Sequence, residues 1–143
     1  MSNAEGAQSA QTAGTRAVEF RVSAVLENLA VVRTVIGALA AFEDLDLDAV
    51  ADLRLAVDEA CTRLIRSASE GAALVLVVDP RVNELVVTVS TVSSEQDVLS
   101  PGSFSWHVLT SLTDDVATFH DASNVGAPVV GIALTTRRVS PAR

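Results

Sequence analysis

A chain of 143 residues is the size of one domain and long enough to bury a sizeable core. With 49% hydrophobic but only 3% aromatic residues, that core must be built from Val, Leu, Ile and Ala. The net charge is -8 and arginine is the only base, which argues against direct nucleic-acid binding, because a basic stripe neutralising phosphates supplies most of that affinity. Basic protein surfaces and small ligands are the expected partners.

Residues 1–16 are mostly Ala, Ser, Gln, Gly and Thr, with a single Glu and little to bury, and read as a disordered tail before a single domain over 17–139, with a short C-terminal tail over 140–143. No basic and apolar leader opens the chain, which predicts a cytoplasmic protein. Ala17 to Ser23 alternates apolar and polar residues as a half-exposed strand does. Leu29 to Phe42 is apolar almost throughout, with Arg33 its only charge. At about 20 residues a bilayer span is longer than this run, so no membrane segment is expected. A helix apolar on most of its circumference must be covered on more than one side. The domain's own sheet supplies one cover and a partner protein is a candidate for the other. Arg33 either snorkels along its apolar neighbours or contacts that partner.

Glu43 to Asp48 is an acidic turn suited to capping the next helix. From Asp52 to Ala68, the residues Leu53, Val57, Ala60, Cys61, Leu64, Ile65 and Ala68 recur at steps of three and four, which makes an amphipathic helix. Glu59 and Arg63 stand four apart on it and are expected to pair at about 0.3–0.5 kcal/mol. Cys61, the sole cysteine, falls on the apolar side as a small buried hydrophobe; it excludes an internal disulfide and a cysteine-built metal site. Ala72–Val78 and Leu85–Val92 read as a hairpin around the turn Asp79–Glu84, which carries Pro80. A polar stretch, Ser93–Ser103, leads to a short helix over Phe104–Leu112. Strands at Asp115–His120 and Pro128–Thr136 complete the chain. Trp106 is read as a core anchor, and His107 and His120 as structural or surface residues without metal-ligand spacing. The element order predicts an α+β two-layer sandwich, helices on one face of a mixed, mostly antiparallel sheet.

The segment Leu55-Ala56-Val57-Asp58-Glu59-Ala60-Cys61-Thr62 resembles the N-box helix of the anti-sigma-factor serine kinases of the RsbW and SpoIIAB type, within the GHKL ATPases of Bergerat fold. Asn28 to Arg33 resembles the family's first helix, and the stretch from Trp106 through Asp114-Asp115-Val116 to the last strand also fits. Phe42-Glu43-Asp44-Leu45 and Pro101-Gly102-Ser103-Phe104-Ser105-Trp106 resemble the actinobacterial members that hold sigma-F-like factors. The resemblance implies contacts to a sigma factor or its antagonist at Asn28, Arg33 and Ile36, Glu59 as a general base, and ATP as a ligand. It also implies a homodimer formed through the sheet.

Departures from the family pattern limit what transfers. The resemblance implies that the family's N box follows its Glu, after three intervening residues, with an Asn that holds Mg²⁺, and four further on with a His; here Arg63 and Ser67 stand in those places. A guanidinium has no acceptor oxygen and cannot ligate a cation. The adenine-binding Asp-x-Gly-x-Gly is replaced by Thr91-Val92-Ser93-Ser94-Glu95, and the following loop is shorter than the family's ATP lid. Of the phosphate-cradling Gly-x-Gly only Gly102 remains, in Pro101-Gly102-Ser103-Phe104-Ser105. Weak nucleotide contacts through Arg63, Gly102, Ser103 and Ser105 are expected, with Mg²⁺ dependence in doubt. Two functions stand against each other: a binding protein that sequesters a sigma factor and is countered by an antagonist, or an ATP-dependent kinase that phosphorylates that antagonist.

Overall fold

The computed structural model describes residues 16–124 and 126–139. The expected tails therefore lie outside the described residues except for Arg16 and, at the other end, nothing beyond Val139. In chain order the elements are β1 (Val18–Ser23), a 3-10 turn (Leu26–Asn28), α1 (Leu29–Phe42), α2 (Leu47–Ser67), β2 (Ala73–Pro80), β3 (Glu84–Val92), α3 (Phe104–Leu112), β4 (Asp115–Asp121) and β5 (Val129–Arg137). α1 and α3 carry the predicted bounds. α2 starts one turn earlier than its apolar pattern, because Asp46 caps it: the carboxylate accepts from the Ala49 amide at 2.7 Å.

The five strands lie in the order β1-β2-β3-β5-β4, and every pairing is antiparallel. The expected mixed, mostly antiparallel sheet is antiparallel in every pairing. α1 and α2 together carry the chain away and back, so β2 returns alongside β1. α3 carries the chain to the opposite end singly, which leaves β4 running with β3, but β5 turns back and inserts between them. Pro80 ends β2 inside the ladder, opposite Leu85, where the strand has no further donor to supply.

One sheet face carries Leu74, Leu76, Val87, Val89, Ile132 and Leu134, all fully buried beneath the helices. Val32, Ile36 and Ala40 of α1 and Leu53, Val57 and Leu64 of α2 close this core from above. These aliphatic side chains bury roughly 1.5–3 kcal/mol each. No described element covers the other sheet face, which exposes parts of Val75, Val77, Val86 and Ala133. There the Phe119 ring of β4 lies across Gly131 of β5, and a Cβ at Gly131 would stand 2.1 Å from the ring's Cζ. The glycine is thus a seat for the ring.

The turn between α1 and α2 is fastened from both ends of the domain. Glu43 is buried and accepts from Arg138 Nη2 at 2.9 Å; Arg138 Nη1 also donates to the Glu43 carbonyl at 2.6 Å. Arg16 pairs with the other Glu43 oxygen. Asp44, next in line, adopts φ 62, a left-handed conformation an aspartate tolerates better than most side chains.

Candidate functional site

α2 positions the candidate site residues on its two flanks. Its inner stripe, including Cys61, is sealed in the core, while Asp48 in the first turn and Arg66 in the last suit the helix dipole. Burial, helped by the negative charge of Asp58, pushes the Cys61 thiol up to about 12, so it is an inert hydrophobe at neutral pH.

The flank facing α1 carries Asp58. Arg33 of α1 donates to its Oδ2 through Nε at 3.1 Å and Nη2 at 2.8 Å. The side chains stay 41% and 26% exposed, so this is a half-open ion pair between helices. Asp58 Oδ1 is buried without a hydrogen-bond partner. Arg33 thus does something other than snorkel freely: it is held by its own chain. Asn28, at the start of α1, donates to the Ser23 carbonyl at 2.8 Å and so ties the helix to the end of β1. Ile36 is a correction. At 1% exposure it points into the core, and the exposed strip of the same helix is Ala30, Val31, Thr34, Ala38 and Ala41.

The flank facing α3 carries Glu59 and Arg63, and their expected mutual ion pair is absent. Glu59 accepts instead from the Ser105 hydroxyl at 2.5 Å, across 46 residues of sequence. Arg63 turns to the Val98 carbonyl, with Nε at 3.4 Å. A spacing of four makes two side chains neighbours, but a charged acceptor takes the better-placed donor. Ser103 caps α3, its hydroxyl accepting from the Trp106 amide at 3.2 Å, and Gly102 holds φ +85 in the turn before it. Three of the four residues expected to touch nucleotide are therefore engaged within the chain, and Gly102 is open to solvent. Trp106 packs against the core, as read from the sequence. Among the described residues no group of His, Cys, Asp and Glu could hold a metal ion, and His107 and His120 are exposed.

The stretch 93–103 hides what its polar composition did not reveal. Val98 and Leu99 insert into the core, Ser93 is buried and donates to the Ser67 carbonyl at 2.6 Å, and the Glu95 amide donates back to Ser93 at 3.0 Å. Two adjacent apolar residues inside a polar run were the only signal in the sequence.

Comparison with known proteins agrees with this geometry. The histidine kinase-like ATPase domain family matches residues 22–129. Two curated Mycobacterium tuberculosis proteins, from different strains and both described as anti-sigma-F factor RsbW, are 62% identical over 132 residues, covering 91% of the chain and 79% of theirs. A crystal structure of the RsbU and RsbW domains of another Mycobacterium tuberculosis protein superposes with a TM-score of 0.66 at 17% identity, over 90% of this chain and 34% of that one; it supports the fold. No described helix is long and apolar enough to cross a membrane. The chain therefore belongs to the histidine kinase-like ATPase domain family, among its anti-sigma factors of the RsbW and SpoIIAB type.

Proposed function

We propose that this anti-sigma factor sequesters a sigma-F-type sigma factor in the cytoplasm, through the outward strip of α1 and Arg33, and that an antagonist protein releases the sigma by competing for an overlapping surface. The carrying observation is the 62% identity to proteins described as anti-sigma-F factors. The exposed strip of α1 supports it independently, since Val31 is 49% exposed on a helix whose opposite side is fully buried.

The nucleotide positions do not fit a magnesium nucleotide held as the family pattern holds it. Arg63 offers only donors where a metal-bound acceptor is needed, and the Ser105 hydroxyl occupies Glu59. Phosphoryl transfer rests on positioning and charge neutralisation, of which Glu59 alone supplies neither, so the kinase reading has the weaker support. ATP itself remains a candidate ligand of low affinity, and a homodimer through the uncovered sheet face accords with its half-exposed valines.

The test is titration of the purified protein against the purified sigma-F-type factor of the same cells. Tight one-site binding that Val31→Arg abolishes, without loss of thermal stability, is expected. Undiminished binding by Val31→Arg would refute the α1 interface. Calorimetry with ATP, with and without Mg²⁺, is expected to give weak and Mg²⁺-independent heats; tight Mg²⁺-dependent binding would overturn the reading of Arg63.

A further inference from the structure

The seam between α1 and α2 holds a second arginine that the family pattern does not single out. α1 and α2 run antiparallel there, with Arg33 against Asp58 and, one turn along, Gly37 against Arg54. A Cβ at Gly37 would lie 3.3 Å from Arg54 Cδ, 3.4 Å from Nε and 3.7 Å from Cζ. The Arg54 stem and guanidinium thus lie along the α1 backbone in the space the missing side chain leaves. Glycine inside a helix is destabilising relative to alanine. Gly37 has an ordinary helical backbone, and the absence of its side chain lets Arg54 lie close against α1.

Arg54 is exposed and forms no ion pair among the described residues. Arg33 uses Nε and Nη2 on Asp58, which leaves Nη1 unengaged by that carboxylate. The two arginines cross the seam about one helical turn apart, Arg33 at Asp58 and Arg54 at Gly37. One carboxylate against two guanidiniums makes the seam locally cationic in a chain of net charge -8. Asp58 keeps one oxygen buried and unpartnered, an arrangement that stability alone does not favour and that the fixed orientation of Arg33 explains.

We propose that the α1–α2 seam is a two-arginine receptor for an acidic segment of the protein partner, with Arg54 a direct contact beside Arg33 and Asp58 the residue that positions Arg33. The inference rests on the α1 interface proposed above and extends it to α2. Carboxylates fit because a guanidinium offers a planar fork of donors, and an arginine already held against Asp58 and α1 loses little freedom on binding. Lys at either position would keep the charge and lose the fork.

Binding of the purified sigma-F-type factor is measured by surface plasmon resonance at several salt concentrations. Arg54→Ala is expected to weaken binding roughly tenfold and Arg54→Glu roughly a hundredfold, with a shallower salt dependence for Arg54→Ala. Asp58→Ala is expected to weaken binding several-fold through a faster off-rate, and Asp58→Glu to restore part of it. In the Arg33→Ala background, Asp58→Ala should have no further effect. Circular dichroism and melting curves confirm that each variant is folded. If Val31→Arg abolishes binding while Arg54→Glu leaves it unchanged, the two-arginine receptor is wrong and the α1 interface stands. If neither variant changes binding, both fall. Tighter binding by Asp58→Ala would make Asp58 a competitor for Arg33 and overturn its positioning role.

Discussion

Asp58 and Glu59 are consecutive residues of one helix, yet they face different problems. Asp58 holds Arg33 at a half-open seam, where the guanidinium remains exposed to whatever approaches α1. Glu59 is turned onto Ser105, and its neighbour Arg63 onto Val98, so the polar groups of the α3 flank are directed at the chain's own loop. One flank of α2 leaves its charges available and the other uses them up. The two flanks of one helix thus differ in kind: one carries an ion pair half-open to solvent, the other is bonded to α3 and the loop before it.

The largest expected effect contrasts the two sides of α1. Ile36→Glu would bury a carboxylate without a cation and cost more than about 4 kcal/mol, enough to unfold the domain in a chemical-denaturation series. Val31→Arg on the outward strip should shift stability by no more than about 0.5 kcal/mol while abolishing partner binding. Equal destabilisation by the two would erase the distinction between a core side and a docking side.

The stripe that separates the flanks of α2 has its own probe. The Cys61 thiol is raised from 9.0 to about 12 in the folded chain. A group whose folded pKa lies above its unfolded value lends stability that is complete below the unfolded value and is lost as pH rises toward the folded one. Stability should thus be flat up to about pH 9 and fall by about 1.4 kcal/mol per pH unit toward pH 12. The chain has neither tyrosine nor lysine, so no other ordinary side chain titrates in that window. Cys61→Ala should remove the slope, as read by denaturation at each pH. No slope in the native chain above pH 9 would refute the raised thiol pKa, and a slope that survives Cys61→Ala would assign it to another group.

The α3 flank should give the smaller numbers. Ser105→Ala removes a donor from a charged acceptor and is expected to cost about 1–3 kcal/mol without weakening the partner complex. Arg63→Ala loses a long bond from an exposed side chain and should cost under about 1 kcal/mol. If either one impaired partner binding more than it impaired folding, the division between the flanks would fail.

Periodicity was enough to place the elements, and the reasons are local. The apolar run from Leu29 to Phe42 matches α1 end to end, and the alternation in Leu85–Val92 marks the strand that now lies at the sheet's centre. What could not be read were contacts between segments distant in sequence. The Glu59–Arg63 pairing was sound as a helix rule, and it failed because Ser105 arrives from 46 residues away. Ile36 was placed on the surface because a nearly all-apolar helix does not declare which side is inside. Val98 and Leu99 lie inside a polar stretch, and their burial depends on packing against distant parts of the core. The place of Arg54 depends on Gly37 of another helix, which its own helix pattern does not reveal.

The clasp at Glu43 reaches beyond architecture into the order in which the chain assembles. Its bonds to Arg138 span 95 residues, and Arg138 arrives there only after β5 has slotted between β3 and β4. A contact of such sequence separation is expected to form late in folding, after the loop-closure entropy of the sheet has been met. Bonds formed after the transition state scarcely alter how fast a chain folds; they slow its unfolding. Arg138, arriving from the far end of the domain, is thus expected to act on the lifetime of the α1–α2 hairpin, and Arg138→Ala to speed its unfolding.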